Sequence, residues 1–265
     1  SLQNVLQKYP SFHLDKIFYK SKYHYESHVE HPTSILKSIP HVIIPNGIRM
    51  EVFKNQLQEP NVRNLYRFCY CSCYTRGLQH ILENIWPVIY KFEPRSELHV
   101  YYGMDMIKNQ EWKQHMKQLL AQPGVMDHGR QSAEIIAREK RLSMFHLYIT
   151  NTIKEIDCIS IRESIVSGCI PLLSNFGLFK ERDGIHFELI DGNLECYKNI
   201  AFKILNLLKN ADKLQSVQQL LYQSKWIFDW NVVSEKWLDI IDFERNNHVM
   251  NIEDYDSVID SEDSK

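Results

Sequence analysis

The stretch "KEIDCISIRESIVSGCIPLLSNFG", Lys154–Gly177, decides the reading of this chain. Ile159, Ile161, Ile165 and Val166 are spaced as on a helix, and Gly168 suits the end of one. "CIPLLSN" then runs apolar and short, as a buried strand does. Upstream, "MFHLYIT" (Met144–Thr150) is another such strand. Strand, loop, helix and strand in that order form a crossover unit, which places the two strands parallel in one sheet. The helix begins near Cys158. Glu155 therefore lies in the loop at the strand's carboxyl end, and Glu163 lies one to two turns inside the helix.

The same alternation extends in both directions. "YRFCYCSC", "ELHVYYG", "VMDHG" and "HFELID" read as strands. "RGLQHILENIWPVIYKF", "NQEWKQHMKQLLAQ", "SAEIIAREKRLS", "NLECYKNIAFKILNLLKN" and "KLQSVQQLLYQSKWIF" read as helices, with Ser132 a candidate N-cap. Strands alternating with helices across 62–210 predict an α/β fold: a Rossmann-like parallel sheet with helices on both faces. Earlier in the chain, "KIFYKS" and "HVIIPNGI" read as short strands, the second stopped by Pro-Asn-Gly. "KYHYESHVEH" between them reads as a helix or turn.

Bulk composition narrows the function classes. Of 265 residues, 44% are hydrophobic and 24% charged, as in an ordinary globular chain. A formal net charge of -2 offers no basic field for nucleic acid. No apolar run approaches the roughly 18–20 residues of a membrane span, and the opening residues lack a signal-peptide pattern, so a cytoplasmic location is expected. Cys69, Cys71 and Cys73 alternate and are expected on one face of a strand, as reduced buried thiols and not zinc ligands. The acidic residues 251–265 are expected to be a solvated, disordered tail.

In an open α/β sheet, ligands bind at the carboxyl ends of the strands. Four loops there carry candidate chemistry. The loop of Glu155 leads into a helix start whose first amides, Asp157 to Ile159, form an anion site suited to phosphate. Two carboxylates at different depths there could accept hydrogen bonds from two sets of sugar hydroxyls; the plain alternative is a capping Glu155 and a solvated Glu163. Arg76 stands just before a helix, where a cation opposes the dipole unless an anion shares the place. "HGRQS" offers His128, Gly129 and Arg130: close approach for a planar ring, plus a cation. "SNFGLFKE" offers a tight turn at Asn175 and Gly177. Each of the last three can equally be a plain surface turn.

Taken in order, "HVIIPNGI", "YCSCYTRGLQHILENIWPVI", "ELHVYYGMD", "HGRQSAEIIAREKRLSMFHLYIT", "KEIDCISIRESIVSGCIPLLSNFG" and "WIFDWNVVSEKW" resemble the C-terminal, donor-binding half of GT-B glycosyltransferases of the retaining group-1 (family 4) type. Glu155 and Glu163 match that family's E-x7-E pair, and "SGCIP" matches its continuation. The resemblance implies transfer of a sugar, with retention, from a nucleotide sugar (UDP- or GDP-linked) to an acceptor that is a glycan, lipid or protein. It implies no cofactor and no metal. By position, Glu163 resembles the glutamate on the donor ribose. Glu155 resembles the catalytic glutamate at the transferred sugar, with the amides of Ile156, Asp157 and Cys158 on the diphosphate. Arg76 takes the place of the basic residue on the diphosphate. Arg130 contributes to donor binding, and His128 and Gly129 lie where the nucleobase is held.

The chain also departs from that pattern. Cys71 replaces the arginine of the usual Arg-x4-Lys pair, and the glycines that usually flank the first glutamate are missing. Asp157 adds a negative charge beside the diphosphate, unless its side chain caps the helix. The resemblance divides the chain into 1–60, a remnant of an acceptor-side domain and its link; 61–225, the donor domain; 226–250, crossing helices; and the tail. A fragment of a longer enzyme, or a natural half pairing with another chain, is expected, with apolar surface exposed around Trp226, Phe228, Trp230 and Trp237. Two other readings stay open: a non-catalytic nucleotide-sugar or protein-binding module, and a flavodoxin-like or epimerase-like protein. No Gly-x-Gly-x-x-Gly follows a first strand, so nothing supports a dinucleotide.

Overall fold

The computed structural model describes residues 2–9, 14–31, 34–54, 63–151 and 155–242. The expected acidic tail and residues 243–250 fall outside this set. In chain order the elements are α1 (Leu2–Lys8), β1 (Ile17–Tyr19), α2 (Lys22–Val29), β2 (His41–Ile43), α3 (Met50–Phe53), β3 (Asn64–Cys71), α4 (Leu78–His80), α5 (Trp86–Phe92), β4 (Glu97–Tyr101), α6 (Gln110–Leu120) and β5 (Val125–Asp127). They continue with α7 (Ala133–Leu142), β6 (Ser143–Tyr148), α8 (Ile159–Val166), β7 (Ile170–Ser174), β8 (Ile185–Phe187), α9 (Leu194–Leu208) and α10 (Ala211–Leu221). A last helix, α11, covers 230–242.

Six parallel strands form the main sheet in the order β5-β4-β3-β6-β7-β8. This is the doubly wound order, in which the chain starts in the middle and winds outward in both directions. The order reverses between β3 and β6, so their carboxyl ends leave a crevice between diverging loops. β1 and β2 form a separate parallel pair.

Each face of the sheet is covered for a sequence reason. Phe68, Tyr70, Leu98, Phe145, Leu147 and Leu172 are fully buried and pack with Ile81, Leu82, Ile85 and Trp86, and with Ile200, Ala201 and Ile204 of α9. Burying a side chain of this size contributes about 1.5–3 kcal/mol. A smaller cluster joins Ile48 and Phe53 to Ala137 of α7 and Val166 of α8. Ser132, Asn193 and Asn210 cap α7, α9 and α10 with their side chains.

Local differences from the expected elements have identifiable causes. The helix expected over 78–92 contains a π turn, Ile81–Ile85, just ahead of Pro87, which has no N–H to give to the preceding turn. α10 stops at Leu221, and β8 is only three residues long. β3 ends at Cys71, so Cys73 lies in the following loop and not on the strand face. Cys69 is buried, and its Sγ lies 3.9 Å from Sγ of Cys169. Among the described residues no three His, Cys, Asp or Glu side chains cluster as metal ligands, and no helix is long and apolar enough to cross a membrane. Of the four aromatic residues expected to be exposed in the closing segment only Trp230 is; Trp226, Phe228 and Trp237 are partly covered, Trp237 by Phe18 with ring centroids 4.1 Å apart, while Leu238 and Ile241 are also exposed.

One buried group gives the fold a pH dependence. His146 on β6 is fully buried; its Nδ1 lies 2.8 Å from Ser164 Oγ and its Nε2 has no partner. Burial, with the nearby Lys140 charge, pushes its pKa well below the usual value. Below about pH 6.5 the unfolded chain takes up a proton here that the folded chain refuses, so stability is lost as pH falls. The slope from this group approaches about 1.4 kcal/mol per pH unit only well below pH 6.5, so between pH 7.0 and 5.5 it removes about 1.2 kcal/mol in all. Denaturant unfolding at pH 7.0 and 5.5 measures it, and His146→Asn should flatten it. Equal slopes in wild type and variant would refute the assignment.

Candidate functional site

The two central strands bring the first pair of candidates together. Arg76 stands in the loop after β3 and Glu155 in the loop after β6, and Arg76 Nη1 donates directly to Glu155 Oε1. Tyr148, the last residue of β6, donates its hydroxyl to the same oxygen at 2.7 Å, and Ser72 Oγ donates to the Tyr148 oxygen at 3.1 Å. Gly77 allows the two loops to approach. Its φ is +92°, and a Cβ there would lie 2.6 Å from Thr150 Cβ. Burial pushes the Tyr148 phenol far above its ordinary pKa, so it remains a donor. Burial works to lower Arg76, but the Glu155 carboxylate and Tyr148 outweigh it and raise this guanidinium.

Glu163 has a different partner. Lys140 on α7 is fully buried, and its Nζ donates to Glu163 Oε2 at 2.9 Å, Ser160 O at 2.7 Å and Ser160 Oγ at 3.0 Å. Ser160 Oγ in turn donates to Cys71 O at 3.0 Å, tying the start of α8 to the end of β3. Burial lowers the Lys140 ammonium, but Glu163 more than restores it.

Asp157 corrects an expectation. Its side chain does not cap α8; the N-cap is Cys158, in the left-handed region with no side-chain cap. The Asp157 carboxylate turns inward instead, accepting from Arg162 Nη2 at 2.7 Å, Arg182 Nη2 at 3.2 Å and the Asn46 amide at 2.9 Å. The first-turn amides of α8 are left without a side-chain acceptor. Burial, then the Glu155 charge, pushes the Cys158 thiol up to about 12, so it adds no charge at neutral pH. Ile156 holds its place through its carbonyl, which accepts from Ser21 Oγ at 2.7 Å.

Each carboxylate thus has its own cation: Glu155 with Arg76, Glu163 with Lys140, Asp157 with Arg162 and Arg182. The objection that acids would repel a phosphate here is met by four cations against three acids.

A cleft of about 460 Å³ opens beside Glu163, at the carboxyl ends of β3 and β4 and against α7 and α8; of the residues expected at the site, Glu163 and Arg130 line it, whereas Arg76, Glu155, Ile156, Asp157, Cys158, His128 and Gly129 do not. Glu163, Ser160, Tyr101, Tyr102, Arg130 and Gln131 line it. The Arg130 guanidinium lies 5.2 Å from the Tyr102 ring centroid. Tyr102 has φ +130° and is held by its amide donating to Gly129 O at 2.8 Å. His128 stands behind Tyr101, stacked with centroids 4.6 Å apart. Its Nε2 lies 2.9 Å from His99 Nδ1, which Arg67 Nη2 also approaches at 3.1 Å. Arginine only donates, so His99 Nδ1 is an acceptor and the His128 Nε2–H donates to it. His128 thus supports the cleft through Tyr101, while Arg130 faces it directly.

Sequence reasoning passed over Lys140, Tyr148, Tyr102 and Ser160. A signal for Lys140 existed: it falls three and four residues after Ala137 and Ile136, on the apolar stripe of α7, where a surface charge does not belong.

No protein-family model and no curated protein matches this sequence. Solved structures do. The chain superposes on the pneumococcal O-GlcNAc transferase GtfA, solved with UDP and GlcNAc, at 16% identity and TM-score 0.63, over 86% of this chain and 45% of that one. It superposes on Anabaena HepE, solved with UDP and glucose, at 14% identity and TM-score 0.66, over 91% and 65%. A glycosyltransferase from Rickettsia africae gives 17% identity and TM-score 0.68, over 89% and 66%. The chain spans only part of the length of these structures, about half in the case of GtfA. It has the α/β fold of GT-B glycosyltransferases, seen here as a Rossmann-like sheet of six parallel strands.

Proposed function

We propose that this chain is the donor-binding half of a retaining glycosyltransferase that uses a nucleotide sugar, UDP- or GDP-linked. The observation that carries the reading is the convergence at the β3/β6 switch point. The Arg76–Glu155 pair and the uncapped start of α8 lie at that edge, and Glu163, neutralised by Lys140, lines a cleft of nucleoside size. Arg76 and the amides from Asp157 onward hold the diphosphate. Glu163 accepts from the ribose hydroxyls, and Arg130 with Tyr102 faces the base, in a loop shaped by His128 and Gly129. Glu155 positions the sugar.

In the reaction, the bond from the anomeric carbon to the diphosphate breaks. A bond from the same carbon to the acceptor oxygen forms on the same face. The acceptor proton passes to a phosphate oxygen. The chain's part is to place the reactants and stabilise the leaving charge.

A thermal-shift panel of UDP-, GDP- and ADP-sugars tests this. A ligand present at 100-fold its Kd stabilises by about 2.7 kcal/mol, roughly 5–10 °C for a domain of this size. One nucleotide class should shift the midpoint by that amount. No shift with any of them at millimolar concentration would refute the reading.

A further inference from the structure

The mechanism above makes no direct use of Lys140, a cation with no exposed surface. We propose that Lys140 is a positioning residue for the donor ribose: it aims the Glu163 carboxylate at a vicinal diol. This inference rests on the nucleotide-sugar reading of the cleft.

The geometry has three parts. Lys140 has no exposed surface, and its Nζ lies 5.5 Å from the Phe53 ring centroid, closed off by a residue that also lines the cleft. All three of its protons have acceptors: Ser160 O, Ser160 Oγ and Glu163 Oε2. Because one carboxylate oxygen is fixed this way, the Glu163 rotamer is fixed too. Its Oε1, which no donor reaches among the described residues, remains for the cleft, where the side chain keeps 20% of its surface exposed. A carboxylate with one oxygen held and the other open suits a ligand offering adjacent hydroxyl donors. Ser160 completes the arrangement by anchoring the assembly to Cys71 O, at the end of the strand that leads to Arg76.

A purely structural lysine would look the same in a stability measurement, so the test uses selectivity. Calorimetry with UDP and 2′,3′-dideoxy-UDP gives the ratio of their dissociation constants; GDP and its dideoxy analogue are used if UDP is silent. Wild type should prefer the ribonucleotide at least about tenfold, as expected for hydrogen bonds to a charged acceptor. In Lys140→Met the ratio should fall to about threefold or less. Lys140→Met should fold, because the carboxylate left behind reaches cleft water. If it does not, Lys140→Gln, which keeps a shorter neutral donor, is read in the same way. Lys140→Arg, which keeps the cation, should restore much of the ratio. A wild-type ratio that survives in both neutral variants overturns the role of Lys140 and leaves the nucleotide reading standing. A wild type with no preference for the ribonucleotide overturns the Glu163–ribose assignment, and this inference with it.

Discussion

Asp157→Ala is expected to cost about 3–5 kcal/mol of folding stability, the range for removing one partner of a buried ion pair. The residue is 3% exposed, and Arg162 and Arg182, its two partners, are 0% and 2% exposed. Without the carboxylate, two enclosed guanidiniums keep only backbone carbonyls: Asn46 O at 2.5 Å and Trp226 O at 3.5 Å for Arg162, Asp157 O at 3.2 Å and Glu181 O at 3.4 Å for Arg182. The loss would be a large share of a typical domain's total stability. Arg182 also lies with its guanidinium 4.5 Å from the Trp226 ring centroid, so the same carboxylate tethers the closing segment. Asp157→Asn, which keeps an acceptor for the Asn46 amide but no charge, should recover only part. Urea unfolding of the three proteins measures this. An alanine variant within about 1 kcal/mol of wild type would show that water hydrates the arginines and that the cluster is not closed.

Arg76→Ala is expected to weaken binding of the nucleoside diphosphate about 10- to 100-fold, the range for one charge-assisted hydrogen-bonding group of about 1.5–3 kcal/mol. Two effects add. The cation nearest the proposed diphosphate is removed, and Glu155, whose side chain is 10% exposed, is left with a bare charge toward the anion. Glu163→Ala should weaken the same ligand less, because it removes hydrogen bonds to neutral hydroxyls and no attraction to phosphate. Stability should fall less than in Asp157→Ala, since Arg76 is 43% exposed and Glu155, 10% exposed, keeps the Tyr148 hydroxyl. Arg76→Lys should retain part of the affinity without the forked geometry. Titration of UDP into these variants by calorimetry decides the matter. Equal affinities in Arg76→Ala and wild type would remove Arg76 from the phosphate site.

The two experiments probe parts of the molecule that differ in how far they can be read from the chain. The strands of the main sheet are largely visible as short apolar runs between turn residues, because alternation and burial are local properties of sequence; β8 is the exception, lying at Ile185–Phe187 and not across "HFELID". The start of α8 near Cys158, the N-cap at Ser132 and the carboxyl-end position of Glu155 and Glu163 follow from the same local signals. Their common edge follows too, because parallel crossovers place every such loop on one side of a sheet.

Charge pairing is different. Asp157 reads in sequence as an unwelcome acid beside a phosphate site or as a helix cap, and it is neither. Its partners come from five and 25 positions along the chain, and its third contact from 111 positions away. Glu163 finds Lys140 across 23 residues, and Arg76 finds Glu155 across 79. Local spacing therefore settled which elements form and which edge of the sheet carries the acids. Only the packing of α7, α8 and the loops that carry Arg76, Glu155, Asp157 and Arg182 settled which cation answers which carboxylate. A buried charge takes whatever opposite charge the fold brings within about 3–4 Å, and no periodicity along the chain records that distance.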